Sequence, residues 1–204
     1  LKDAHQNIIC NPERKLNYAF MAAEFLWLLM GRKDLAMIEF YNSQMRKFSD
    51  DGIELWGSYG PKIAAQLPYI FDVLAKDPWT RQAVLTTWET PWNQTRDVPC
   101  TISFHFMQRP LGTLNLIVYM RSNDAWLGFP YDLHNFTSLL IFVAGALSLN
   151  AGSYTHVAGS LHLYEEHLAK ARDASDCVRV SMRSPVFDSG DWKNQLRLVQ
   201  EADE

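Results

Sequence analysis

Cys100 is the residue whose neighbours best equip it to act as a nucleophile. It follows Pro99 and opens an extended run from Thr101 to Met107, so it would stand at the rigid end of a strand facing a cleft. A lone cysteine is equally well a small buried hydrophobe, and its partners decide which. Arg121, followed by Ser122, Asn123 and Asp124, closes the next extended run, where a guanidinium would hold a phosphate or lower a thiol pKa. Leu127-Gly128-Phe129-Pro130-Tyr131-Asp132 is a Gly/Pro turn into an apolar segment, with Asp132 either an N-cap or a working carboxyl. His162 and Tyr164 are two apart, hence on one side of an extended stretch, as hydrogen-bonding groups. Glu24 is the one acidic residue in the apolar run from Leu16 to Met30. Burial there would raise its pKa and suit it to general acid–base work.

Several elements must position these groups. The run from Leu16 to Met30 reads as a helix stopped by Gly31. A second helix is expected from Asp34 to Phe48, and a third from Lys62 to Lys76, halted before Asp77-Pro78. Gln82 to Trp88 is rich in β-branched and aromatic residues. Thr101 to Met107 alternates, with Ile102, Phe104 and Phe106 expected on one face and Ser103 and His105 on the other. A turn over Arg109-Pro110-Leu111-Gly112 leads to a return strand from Leu114 to Met120, completing a hairpin. A long apolar helix from about Leu133 to Leu149 and a short strand near Tyr154 to Ala158 follow. Without regular βαβ alternation, the class is α+β.

Composition bounds the function. With 204 residues, 48% of them hydrophobic, the chain reads as a single domain over 1–204. A net charge of −4 excludes a broad basic surface for nucleic acid but leaves room for a local phosphate pocket. Three cysteines without a C-x-x-C pair indicate neither a disulfide framework nor a metal site, and fit a cytoplasmic compartment. The first ten residues lack a signal-peptide core, and Leu139 to Leu149 is about half of a membrane span, so a soluble protein is expected.

The order of the motifs carries more than any one of them. Glu24-Phe25-Leu26-Trp27 with Leu28-Leu29-Met30-Gly31, then Tyr59-Gly60, Asp77-Pro78-Trp79-Thr80-Arg81 and Pro99-Cys100 resemble the thymidylate synthase family. The resemblance continues through Tyr119 to Asp124, Leu127 to Asp132 and His162-Leu163-Tyr164. It implies a mixed β-sheet with flanking helices that dimerises through the sheet. It implies that Cys100 adds to C6 of a pyrimidine nucleoside monophosphate, so that C5 attacks the one-carbon unit of 5,10-methylenetetrahydrofolate. Arg121 and Ser122 then match phosphate-binding positions. Arg81 matches an arginine donated across an obligate homodimer. His162 and Tyr164 match the pair that binds the sugar hydroxyl. Asp124, Gly128, Tyr131 and Glu24 match folate-side positions, and Tyr59 and Glu24 match groups that organise water and protons.

Departures sharpen the expectation. Asp132 stands where thymidylate synthases carry asparagine, the mark of the cytidylate hydroxymethylase branch, which implies CMP or dCMP as substrate. The stretch from Asn42 to Gly52 contains no tryptophan where synthases carry a pair that shields the C5 methylene. Water entry would then give a hydroxymethyl product. A divergent thymidylate synthase or deoxyuridylate hydroxymethylase is the enzymatic alternative, and an inactive nucleotide-binding relative the other. Thr101, Gln82, Met120 and Ser160 replace a histidine, an arginine, a glutamine and an aspartate of the family pattern. The segment from Asp188 to Glu204 does not resemble the family's closing tail, so truncation at the termini is an expectation too.

Overall fold

In the computed structural model, residues 1–89, 95–175, 180–182 and 197 are described. Cys177 and the closing segment from Asp188 lie outside them, apart from residue 197. The elements run β1 (Ile8–Cys10), α1 (Tyr18–Leu29), α2 (Leu35–Tyr41), a 3-10 turn (Ser43–Lys47) and α3 (Gly60–Lys76). They continue with β2 (Val84–Thr86), β3 (Thr101–Arg109), β4 (Thr113–Met120), β5 (Asn123–Asp124), α4 (Phe129–Ala146), β6 (Asn150–Ala158), β7 (Leu161–His162), a 3-10 turn (Glu165–His167), α5 (Leu168–Ser175) and β8 (Val180–Met182).

Helix α1 buries residues around most of its circumference, including Phe20, Met21, Phe25, Trp27 and Leu28, which is what a helix apolar on all sides must do. The Asn17 side chain caps it by accepting from the Phe20 amide. Gly31 ends it at φ 69°, and a Cβ there would lie 3.0 Å from the Ala64 Cβ of α3. The expected second helix divides in two. Asp34 caps α2, but Asn42 is extended and its side chain accepts from the Gln44 amide, starting a separate 3-10 turn.

The central sheet has the order β2-β3-β4-β6. Its first three strands pair antiparallel, and β6 adds parallel to β4 after the α4 crossover. Phe104, Phe106, Leu116 and Val118 point into the core against α4, where Phe136 meets Phe104 edge-on at 4.9 Å. The expectation that Ile102 shares a face with Phe104 and Phe106 fails. A register irregularity between Thr101 and Ser103 inserts one residue, turning Thr101 inward and leaving Ile102 37% exposed. Strand alternation seen in sequence carries no sign of such a bulge.

Helix α4 begins at Phe129, four residues earlier than expected, with Pro130 in its first turn. Gly128 occupies the N-cap, so Asp132 is not the cap but a residue inside the helix. Strand β2 is shorter than expected, Val84–Thr86, and β6 is longer, starting at Asn150.

Candidate active site

Cys100 is mounted where β3 leaves the core. Its carbonyl accepts the Arg121 amide at 2.8 Å, tying the start of β3 to the end of β4. The Arg121 guanidinium donates from Nε to the Pro99 carbonyl and from Nη2 to the Val98 carbonyl, each at 2.9 Å. It thereby clamps the loop before the thiol and brings a positive charge to it. The next amide, of Thr101, donates to the Tyr59 hydroxyl at 3.2 Å. Burial raises the Cys100 pKa, Arg121 opposes that rise, and the charges of Asp132 and Asp97 add to it. The resting group is therefore the thiol, and removing negative charge from Asp132 makes its ionisation easier.

Two buried helix carboxyl groups belong to the same cluster, with Asp132 acting on the thiol and on Glu24 in turn. Burial raises Glu24 from 4.5 to about 8, against the pull of a hydrogen bond from Asn135 Nδ2 to Oε2 at 2.7 Å. Burial likewise raises Asp132 from 3.8 to about 7, opposed by a hydrogen bond from Asn123 Nδ2 to Oδ2. The Asp132 charge also pushes up Glu24, Tyr59, Cys100 and Tyr154, so these five groups titrate within one field. Near neutral pH Glu24 is protonated and Asp132 is close to half-protonated. Such groups donate or accept protons as needed, unlike ordinary surface carboxylates.

Three of the residues expected on the folate side, Asp124, Gly128 and Tyr131, gather at the entry to α4, while Glu24 lies on α1. Asp124 Oδ1 accepts the Trp126 and Leu127 amides at 2.7 and 2.8 Å, while its buried Oδ2 has no partner among the described residues. The Gly128 carbonyl takes the Tyr131 and Asp132 amides, which starts the helix. The Tyr131 hydroxyl accepts the Asn17 amide at 3.1 Å and its ring packs edge-on against Phe20, so its polar end is already engaged. Arg14 lies over the Trp126 and Tyr131 rings at 5.4 and 5.5 Å.

His162 and Tyr164 stand beside this turn, because β5 and β7 pair with Asp124 opposite His162. Their rings meet edge-on at 5.2 Å, and Tyr164 is 54% exposed. Ser122 is half-buried at the end of β4. Arg81 is not brought to this cluster. It precedes β2, whose Val84 pairs with His105, and so lies on the order of 20 Å along β3 from Cys100.

Two residues that the sequence reading missed complete the site, Asn123 and Asn135, each 4% exposed. Each hydrogen-bonds one of the carboxyls, and each has an amide oxygen without a partner among the described residues. Asn135 had a signal: it follows Asp132 by three and shares its helix face. That face is visible only once α4 is begun at Phe129 rather than Leu133.

The sequence profile of thymidylate synthase matches residues 6–188. The chain belongs to the thymidylate synthase family. Among curated relatives, a deoxyuridylate hydroxymethyltransferase of Bacillus phage SP01 is 35% identical over 171 residues, covering 74% of this chain and 44% of that protein. A deoxyuridylate hydroxymethyltransferase of Pseudomonas phage M6 is 32% identical over 180 residues, covering 84% of this chain and 51% of that protein. The chain thus spans about half the length of these relatives. The mixed sheet with flanking helices agrees with this thymidylate synthase family membership. The expected cytidylate branch is not the one these relatives represent, since both carry the deoxyuridylate name.

Proposed function

We propose that this chain transfers a hydroxymethyl group to C5 of a pyrimidine nucleoside monophosphate, with deoxyuridylate as the favoured substrate and Cys100 as the covalent nucleophile. The observation that carries the reading is the cluster itself, a thiol whose preceding loop Arg121 clamps, in the field of Asp132, with the buried Glu24 coupled to that carboxyl. The deoxyuridylate names of the relatives favour uracil as the base. Methylenetetrahydrofolate would supply the one-carbon unit. The unpartnered Asp124 Oδ2 is an acceptor for an N–H of such a heterocycle, so the residues present fit it.

The chain's own residues divide the work. Cys100 Sγ adds to C6 and leaves C5 electron-rich. Asp132 pairs with the edge of the base formed by N3 and the C4 substituent. Glu24 and Tyr59 hold protons beside the ring. Arg121 would bind the phosphate with Ser122 while keeping its grip on the loop before Cys100. His162 and Tyr164 would take the sugar hydroxyl. Phe48, 50% exposed, is the one aromatic between Asn42 and Gly52, which leaves water the access that a hydroxymethyl product requires.

Asp132 favours a second reading, cytidylate as substrate, because an ionised carboxylate accepts from the cytosine amine. Its pKa of about 7 weakens that inference. A neutral carboxyl carries a donor as well as an acceptor, so Asp132 does not by itself exclude uracil, and the placement of its proton decides between the bases. A homodimer through the outer face of the sheet is part of the proposal. Tyr119 and Val157, paired neighbours on β4 and β6, are 42% and 40% exposed there beside Ile102. The distance of Arg81 from its own Cys100 agrees with donation to the partner subunit.

The test is incubation with methylenetetrahydrofolate and, separately, deoxyuridylate, deoxycytidylate and CMP, with products identified by mass spectrometry. Hydroxymethyldeoxyuridylate, absent with Cys100→Ala, is the expected product. Methylated deoxyuridylate would instead mark a thymidylate synthase, and turnover of a cytidylate alone would establish the second reading.

A further inference from the structure

We propose that Asn123 is a positioning residue that fixes which oxygen of Asp132 carries its proton, and through it which pyrimidine edge the site prefers. The inference rests on the pyrimidine-nucleotide reading above.

Asn123 sits on β5, 4% exposed, with its backbone amide held by the Ser160 carbonyl at 2.8 Å. Its side-chain amide has two N–H donors, and both are engaged. One goes to Asp132 Oδ2 and the other to Met120 Sδ at 3.4 Å. A thioether sulfur accepts weakly and never donates, so it sets the orientation of the amide. With the oxygen turned toward sulfur the contact would have no hydrogen. Met120, itself 3% exposed, replaces a glutamine of the family pattern, and a glutamine here would accept or donate and so leave Asn123 free to flip.

The orientation has a consequence for Asp132. An N–H aimed at Oδ2 requires that oxygen to be an acceptor. When Asp132 is neutral, its proton therefore resides on Oδ1. The carboxyl then offers a donor at Oδ1 and an acceptor at Oδ2, in fixed places rather than by free exchange. Uracil presents a donor at N3 and an acceptor at O4, whereas cytosine presents the reverse. For one docking of the nucleotide, a locked carboxyl matches one of them and opposes the other. A buried mismatch of this kind costs on the order of tenfold or more in affinity. Without the lock, the proton moves to whichever oxygen suits the base, and selectivity falls.

The experiment compares wild type, Asn123→Ala and Met120→Leu by calorimetric titration with deoxyuridylate and deoxycytidylate over a range of pH, alongside turnover with methylenetetrahydrofolate. Wild type is expected to discriminate by roughly tenfold or more. Asn123→Ala should bring the two affinities within about threefold and shift the alkaline loss of binding upward, because the amide that favours the carboxylate form is gone. Met120→Leu conserves core volume and removes only the acceptor that orients the amide, so it should reduce the ratio by a smaller factor. Weakening of both nucleotides with the ratio and the pH profile unchanged in both variants would overturn the inference, leaving Asn123 a packing residue. Equal affinity of wild type for both nucleotides would overturn it as well. Failure of wild type to bind either nucleotide would instead sink the functional reading on which it stands.

Discussion

Replacing Glu24 with glutamine should stabilise the protein, and by more as pH rises. Glu24 lies in α1, apolar on nearly every side, and burial carries its pKa from 4.5 to about 8. Between those values the folded state binds a proton that the unfolded chain releases. Folding stability attributable to Glu24 is therefore intact below about pH 4.5 and declines until the group ionises in the folded protein near pH 8. At about 1.4 kcal/mol per pKa unit the full loss is on the order of 4–5 kcal/mol, of which about 3 kcal/mol accrues between roughly pH 5.5 and pH 9. The residue keeps some accessible surface, which makes this an upper bound. In Glu24→Gln the new side chain would still accept from Asn135 Nδ2 through its amide oxygen, so little is lost in exchange. Thermal melts of wild type and Glu24→Gln across that range are the assay. The two Tm values should diverge with increasing pH, by on the order of 10 °C at the alkaline end for a chain of this size. Melting curves that stay parallel from about pH 5.5 to pH 9 would refute the reasoning, because they would mean that Glu24 ionises at its ordinary value.

Arg121→Ala removes the charge that holds the Cys100 pKa down, so the pH midpoint for iodoacetamide alkylation of Cys100, followed by peptide mass spectrometry, should move up; an unchanged midpoint would mean that Arg121 acts only as a loop clamp. Phe104→Ala empties a position that is 0% exposed and packs on Phe136, and should cost about 3–5 kcal/mol in urea unfolding. A loss below about 1 kcal/mol would show that the sheet–α4 core collapses around the gap.

Much of this was legible along the chain because it depends on local chemistry or motif order. Gly31 stops α1, Arg109 to Gly112 turns β3 into β4, and Pro99-Cys100 followed by Tyr119 to Asp124 and Leu127 to Asp132 identifies the family. Glu24 announced its raised pKa simply by being alone among apolar residues. The site's other features depend on contacts between distant segments, which no periodicity encodes. The bulge that turns Ile102 outward arises from how β3 pairs with β4. Asn42 ends α2 by a choice between competing hydrogen bonds, which helical propensity does not foresee. Above all, Asp132 looked in sequence like a statement about cytosine. Its meaning depends on its protonation, which burial and Asn123 decide, and both are properties of the folded chain. Residue identity and order were enough to pick out the groups proposed to do the chemistry. Their charge was settled only by folding, because ionisation depends on how much water and which partners surround a group.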